Sequence, residues 1–284
     1  MNETILITGA TGLIGSALCK HFKSKGMKVL QARRCISEFR DFWGKIDYIV
    51  HCAAMTSSRA FVEHPVETID SVVWLTRDVL EFARARAIRS MVYLSSMEVL
   101  VETDQLQVRS SYPESKRLAE NLCVAYNSEY GVPVKIVRLT QTFGEGVRYA
   151  DGRVFAQFAR SIIERKNIVL NTRGETERSY LYIGDAVTAI ETVLFRGENA
   201  KAYVATNEAT YCSIREMAER VIAANPDSGC QLVFNLVNDS CYLPTIKLRL
   251  DSSPLRALGW HPMVGLEEMF ARLIKDLRAQ RLNT

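Results

Sequence analysis

Tyr112 and Lys116 stand four residues apart in Ser110-Ser-Tyr-Pro-Glu-Ser-Lys-Arg-Leu-Ala-Glu120, with Pro113 where a first helical turn tolerates a missing N–H. Positions i and i+4 share one helix face, so the ammonium reaches the neighbourhood of the phenol. A free tyrosine titrates near about 10, and a close positive charge lowers that value toward neutral pH. The pair predicts a phenolate able to take or return a hydroxyl proton. A surface lysine beside a half-buried tyrosine has the same spacing by chance, so the pair gains meaning from its company.

Thr4-Ile-Leu-Ile-Thr8 is a short β-branched run. Gly9-Ala-Thr-Gly12-Leu-Ile-Gly15 follows and leads into Ser16-Ala-Leu-Cys-Lys-His-Phe22. Strand, glycine turn and helix in that order are the setting of a dinucleotide fingerprint. Glycines let backbone approach a pyrophosphate, and the helix N-terminus offers N–H donors and a positive dipole end. The candidate cofactor contacts here are Gly9, Thr11, Gly12, Leu13, Ile14 and Gly15.

Gly26 to Arg34 reads as a second strand that ends in Ala32-Arg33-Arg34, where an NAD-selective site has an acid for the ribose diol. Two guanidinium groups at Arg33 and Arg34 suit a 2′-phosphate, which favours NADP over NAD. Solvated arginines opening a loop are the other reading. Asp47-Tyr-Ile-Val-His-Cys-Ala-Ala54 reads as a third strand whose small ends, Ala53 and Ala54, let a cofactor pass closely. His51, inside that apolar run, reads as a packed core residue. Ser90 to Leu100 is a fourth strand with its exit, and Ser95 and Ser96 fall at the carboxyl end, where open α/β sheets place their chemistry.

The elements that hold these groups follow from periodicity. Glu67 to Ala87 reads as a long helix with Ile69, Val72, Val73, Leu75, Val79, Leu80 and Phe82 apolar. Later helices are expected at Val154 to Arg165, Asp185 to Phe195 and Gly265 to Arg281, with strands at Asn167 to Asn171 and Ala202 to Ala205. Ser213-Ile-Arg-Glu216 has capping-box spacing ahead of another helix.

The fold class is therefore α/β: a doubly wound parallel sheet with a smaller C-terminal lobe, to which the resemblance named below gives the substrate. Residues 1–145, with 180–212 returning, form the expected dinucleotide domain. Residues 146–284 form mainly the second lobe, with the ligand cleft expected between the two.

Composition narrows the partners. The 284 residues are 48% apolar and 24% charged, ordinary globular values, and 36 basic against 32 acidic residues leave +4. No basic run with interleaved aromatics appears, which argues against a nucleic-acid surface. Seven cysteines (19, 35, 52, 123, 212, 230, 241) include no Cys-x-x-Cys, so reduced thiols in a cytoplasmic protein are expected. The four histidines have no metal-ligand spacing, so no metal is expected. The absence of an 18-residue apolar run speaks against a membrane span.

The fingerprint, the Ser-Ser-x-x-Val exit and the Tyr-x-x-x-Lys helix together resemble the extended short-chain dehydrogenase/reductases of the NAD-dependent epimerase/dehydratase family, which act on nucleotide sugars. Val134 to Gly144 resembles that family's Arg-Leu…Phe/Tyr-Gly strand and loop. Arg178-Ser-Tyr-Leu-Tyr-Ile-Gly-Asp185 and Leu255 to Pro262 resemble its later segments. Matching pieces cover nearly the whole chain.

The resemblance implies a catalytic Ser96, Tyr112 and Lys116: serine bonding the reacting sugar oxygen, tyrosine moving the proton, lysine holding the nicotinamide ribose. It also implies substrate contacts by Ser96, Gln141 and Arg178, the last a fork for the diphosphate. A homodimer is the family's usual state.

Four departures stand out. Gln141 replaces a common Asn, Leu100 stands where a Tyr is common, and Val101 to Ser111 is short. Met97-Glu98 replaces the Asp-Glu of nucleotide-sugar dehydratases, leaving Glu98 as a second catalytic candidate near C5; decarboxylases also keep that glutamate. The implied activity is an NAD(P)-dependent epimerase acting by transient oxidation at C4 of a nucleoside diphosphate sugar. The alternatives are an NADPH-dependent reductase of a 4-keto sugar, or a dehydratase or decarboxylase using Glu98. A non-catalytic nucleotide-binding regulator is the reading from another class.

Overall fold

The computed structural model describes residues 3–33, 36–39, 44–101, 106–237 and 245–282. In chain order the first elements are β1 (Thr4–Thr8), α1 (Leu13–Ser24), β2 (Lys28–Ala32), β3 (Tyr48–His51), α2 (Ala60–Glu63), α3 (Pro65–Arg86) and β4 (Ser90–Ser96). Next come α4 (Ser111–Tyr130), β5 (Val134–Leu139), β6 (Gln141–Phe143), α5 (Val154–Glu164), β7 (Ile168–Leu170) and β8 (Glu177–Tyr182). The chain continues with α6 (Ile183–Arg196), β9 (Ala202–Ala205), β10 (Asn207–Ser213), α7 (Ile214–Ala223) and β11 (Leu232–Phe234). It closes with β12 (Lys247–Leu248), α8 (Ser253–Arg256) and α9 (Leu266–Leu282).

Two compact units share this chain. The first comprises Met1–Leu139, Ala186–Ala205 and Ser253–His261; the second comprises Thr140–Asp185, Thr206–Ser252 and Pro262–Thr284.

The first unit is built on a six-stranded sheet in the order β2-β1-β3-β4-β5-β9, every pair parallel. Its inner strands β1 and β3 are buried at every residue because helices cover both faces, whereas the edge strand β2 leaves Lys28 and Gln31 exposed. Strand order reverses between β1 and β3, the switch point at which such sheets place ligands beyond their carboxyl ends. One core cluster joins Leu6, Ile49, Met91 and Ile136 of the sheet to Val72, Val79 and Leu80 of α3 and to Ala119 and Cys123 of α4. Burying each large aliphatic side chain in it contributes about 1.5–3 kcal/mol.

The glycine turn is tight. Gly9 has φ +66, and a Cβ there would lie 2.8 Å from the Ala53 backbone nitrogen. A Cβ on Gly15 would come 2.2 Å from the Gly9 carbonyl oxygen, so α1 packs against the turn at a distance only glycine permits.

Helix α3 begins two residues before the expected Glu67 because Pro65 supplies a preset φ at its start, and it ends on Ala87 in a left-handed cap at φ +44. The fourth strand stops at Ser96, where the chain tightens into a 3-10 turn over Met97–Leu100 capped by the Ser96 hydroxyl. The late segment carrying Trp260 packs on the portion of α6 in the same unit. Its indole Nε1 donates to Thr188 Oγ1 at 3.1 Å, and Arg196 Nη1 donates to the Leu258 carbonyl at 3.1 Å.

In the second unit, β6 and β12 run parallel to β8 while β10 runs antiparallel to it, and β7 pairs with β11. The Ser213/Glu216 capping box forms with both bonds present, 3.0 and 2.7 Å. Asp185 Oδ2 accepts from the Met263 and Val264 amides at 3.0 and 3.1 Å, tying the entry of α6 to the stretch before α9. Among the described residues no helix is long and apolar enough to cross a membrane, and no His, Cys, Asp or Glu group could hold a metal ion.

Candidate active site at the carboxyl end of the parallel sheet

Ser96 ends β4, and Tyr112 and Lys116 occupy the first turns of α4. Ser96 Oγ accepts the Glu98 amide at 3.2 Å, which occupies a lone pair and leaves the hydroxyl proton for another acceptor. The phenol of Tyr112 is that near neighbour: the hydrogen bond with Ser96 pulls its pKa down. Ser96, Tyr112 and Lys116 thus converge within the first unit. Tyr112 is 7% exposed and Lys116 4%.

Electrostatics at this site differ from the sequence expectation. Burial is the largest influence on Tyr112 and pushes its pKa above the ordinary tyrosine value, with the Glu98 charge adding to the rise; Ser96 and Arg109 oppose it. The ammonium of Lys116 is not what lowers it. Lys116 Nζ donates to the Leu94 carbonyl at 2.7 Å and lies 4.8 Å from the Tyr93 ring centroid, against 6.0 Å from that of Tyr112. Being buried, that ammonium has its own pKa lowered to about 8 by desolvation, with Cys52, Glu120 and Cys123 pulling the other way.

Glu98 sits in the turn after β4 with Arg109 Nη2 3.4 Å from its Oε2; both are partly exposed. Phe61 of α2 stacks on the Tyr112 ring with centroids 4.1 Å apart and planes 9° from parallel. Neither Phe61 nor Arg109 stood out in the sequence. The stack joins residues about fifty positions apart, and Arg109 has no motif around it beyond lying three residues ahead of Tyr112.

His51 is fully buried and its pKa falls to about 3, chiefly through desolvation, so it is neutral at ordinary pH. Its Nδ1 lies 2.7 Å from Thr8 Oγ1 and its Nε2 3.2 Å from Thr76 Oγ1. Thr8 Oγ1 also accepts the Ala53 amide at 3.2 Å. This chain of bonds fixes the carboxyl ends of β1 and β3 against α3, so the imidazole has a structural role.

The residues suit a dinucleotide. No side chain caps the N-terminus of α1: Gly12 occupies the cap position with extended ψ of 171, leaving first-turn amides for phosphate oxygens. Thr11 and Gly12 are exposed, Leu13 and Ile14 half-buried, and Ala53 closes the turn's far wall with Ala54 beside it. Arg33 is exposed immediately past β2; Arg34 lies outside the described residues. In the second unit, Gln141 pairs with Tyr180 across β6 and β8, and Arg178 stands two residues back on β8, so the three share one sheet face. Gln141 and Arg178 are both half-buried.

Comparison with known proteins gives the family and the fold. The profile of the NAD dependent epimerase/dehydratase family matches residues 5–207, and the chain belongs to that family. UDP-glucuronic acid decarboxylase 6 of Arabidopsis thaliana is 25% identical over 98% of this chain and 89% of its own length. Among solved structures, UDP-glucose 4-epimerase of Thermotoga maritima, with UDP-glucose, superposes with a TM-score of 0.86 at 19% identity, covering 98% of this chain and 99% of its own. RMD of Pseudomonas aeruginosa, complexed with NADPH, gives 0.83 at 20% identity over 98% of this chain and all of its own.

Proposed function

We propose that this protein is a nucleotide-sugar epimerase that oxidises C4 of a nucleoside diphosphate sugar and then returns the hydride to the opposite face. The observation that carries the reading is the convergence of Ser96, Tyr112 and Lys116 at the carboxyl end of a sheet whose β1 leads into an uncapped glycine turn.

The Ser96 hydroxyl donates to the sugar O4; Tyr112 first releases its own proton to solvent, a step its burial opposes, and as phenolate accepts the O4 proton as the C4 hydride departs. A nicotinamide, when bound, would supply the hydride acceptor and, on return, the donor. Tyr112 then hands the proton back to O4. Lys116 lies buried beside the phenol, where it suits the cofactor's ribose hydroxyls, and Phe61 fixes the ring plane of Tyr112. Gln141 and Arg178 offer an amide and a guanidinium fork for the sugar and diphosphate. The first unit is the dinucleotide domain in this reading, and the second holds the sugar nucleotide.

Arg33 and Arg34 favour NADP(H) over NAD(H). Replacing both by Ala should weaken NADP(H) far more than NAD(H); equal losses would remove that preference. The five described cysteines are unpaired, which suits a reducing compartment such as the cytoplasm.

A second reading, decarboxylation, is favoured by Glu98 beside Ser96 and by the UDP-glucuronic acid decarboxylase relatives. After C4 oxidation the bond from C5 to the carboxylate breaks and CO2 leaves, its electron pair passing toward the C4 carbonyl oxygen. A proton is then restored at C5 and the hydride at C4. Incubating pure protein with NAD or NADP and a panel of UDP- and dTDP-sugars, followed by proton NMR, separates the readings. A C4 isomer without net cofactor reduction supports the epimerase. A pentose product with CO2 release from UDP-glucuronate supports the decarboxylase. Unchanged sugars across the panel overturn both.

A further inference from the structure

We propose that Arg109 is a positioning residue for proton transfer: it neutralises Glu98 beside Tyr112 and braces the Phe61 ring stacked on the phenol, so that Arg109 sets the pH at which Tyr112 ionises. This rests on the proton-transfer reading of Tyr112. Four observations carry it. Phe61 and Tyr112 are stacked at 4.1 Å with planes 9° apart. The Arg109 guanidinium carbon lies 5.6 Å from the Phe61 centroid, on the side chain that holds the phenol in plane. Its Nη2 lies 3.4 Å from Glu98 Oε2, and Glu98 is fixed in turn by the Ser96 cap. Ser111 Oγ, on the first residue of α4 and two residues past Arg109, donates to the Phe61 carbonyl at 3.1 Å, so the start of the helix carrying Tyr112 is bonded to the helix carrying Phe61.

The charged and titratable groups around the phenol come from every packed element. Glu98 comes from the turn after β4, Arg109 from the turn before α4, Lys116 from α4 itself and Tyr93 from β4. On α2 the charges of Glu63 and its neighbour Arg59 are exposed and paired with each other at 2.7 Å. Glu98 and Arg109 act on Tyr112 in opposite senses, upward and downward. Their pairing keeps the phenol from facing a lone carboxylate in a poorly solvated site, which is worth on the order of one pKa unit or more.

The test places 3,5-difluorotyrosine at position 112 and follows its fluorine shift against pH, with no substrate present. Arg109→Gln should raise the midpoint by about one unit. Glu98→Gln should lower it, the double variant should return near the parent, and Arg109→Lys should restore most of the shift. Circular dichroism confirms that each variant is folded; should Arg109→Gln fail that check, the Arg109→Lys and Glu98→Gln pair carries the comparison. Midpoints unmoved by Arg109→Gln, or moved equally in the double variant, overturn the proposal. Midpoints that move as expected in a protein inert toward every nucleotide sugar would leave Arg109 in place and remove the epimerase reading instead.

Discussion

Lys116 shows what a buried ammonium costs the fold. Its pKa is about 8 in the folded protein against 10.5 for the free side chain, so folding disfavours its charged form. The unfolded chain binds the extra proton between those two values. The penalty is therefore fully present below about pH 8 and is relieved as pH climbs toward 10.5. Replacing Lys116 by Met removes it while leaving the Leu94 carbonyl without its donor, a loss of about 1 kcal/mol. We expect a net gain of roughly 1–2 kcal/mol at neutral pH, read as a higher midpoint in urea, shrinking as the buffer approaches pH 10. The same variant should lose turnover. Tyr112→Phe separates chemistry from binding: turnover should fall by at least about a hundredfold, while dinucleotide affinity measured by fluorescence quenching stays within a factor of a few.

Among the elements, the bond chain from Thr8 through His51 to Thr76 makes the sheet's carboxyl edge acid-sensitive. His51 has a folded pKa of about 3 and an ordinary value of 6.5, so it enters the fold neutral. Below pH 6.5 the unfolded chain takes up a proton that the folded protein refuses until about pH 3, so stability falls throughout that window. His51→Gln should flatten the acid limb of a stability-against-pH curve between those values; an unchanged slope would assign the limb to other groups. Gly15→Ala, with its added carbon 2.2 Å from the Gly9 carbonyl, should cost several kcal/mol, or push α1 off the turn and abolish dinucleotide binding.

These elements also show where sequence reading succeeds. The β1–glycine–α1 unit and the Tyr112–Lys116 spacing are legible because their determinants are local: β-branched residues, glycines at fixed offsets, one helical turn. Strands β6 and β12 escape notice because two or three residues carry no periodicity and owe their state to distant β8. The phenolate near neutral pH that the Tyr112–Lys116 spacing predicts is overturned, since burial raises the phenol's pKa and Lys116 serves the Leu94 carbonyl. Spacing says that two groups are near, whereas burial and the Leu94 carbonyl decide which partner the ammonium serves.

At the scale of the whole molecule, α3 and α4 pack on each other yet leave apolar side chains outward. Val66, Ile69 and Trp74 on α3 and Leu118 and Val124 on α4 are each 40% or more exposed. The homodimer that the sequence resemblance implies leads to the expectation that a second copy of the chain covers this surface. Trp74→Glu together with Leu118→Glu should convert a dimer in sedimentation velocity to a monomer with little change in circular dichroism. A sedimentation coefficient that stays put would place the self-association elsewhere.

The seat of Trp260 has a bearing on synthesis. Its indole closes over α6 beside Thr188, yet it lies more than seventy residues further along the chain, after a long excursion through the second unit. A nascent polypeptide leaving the ribosome can therefore assemble β1 through β5 early, but the Thr188 side of α6 stays uncovered until the segment carrying Trp260 has been made. Chains truncated before Ser253 should bind a chaperone at α6, and released chains that run through α9 should not.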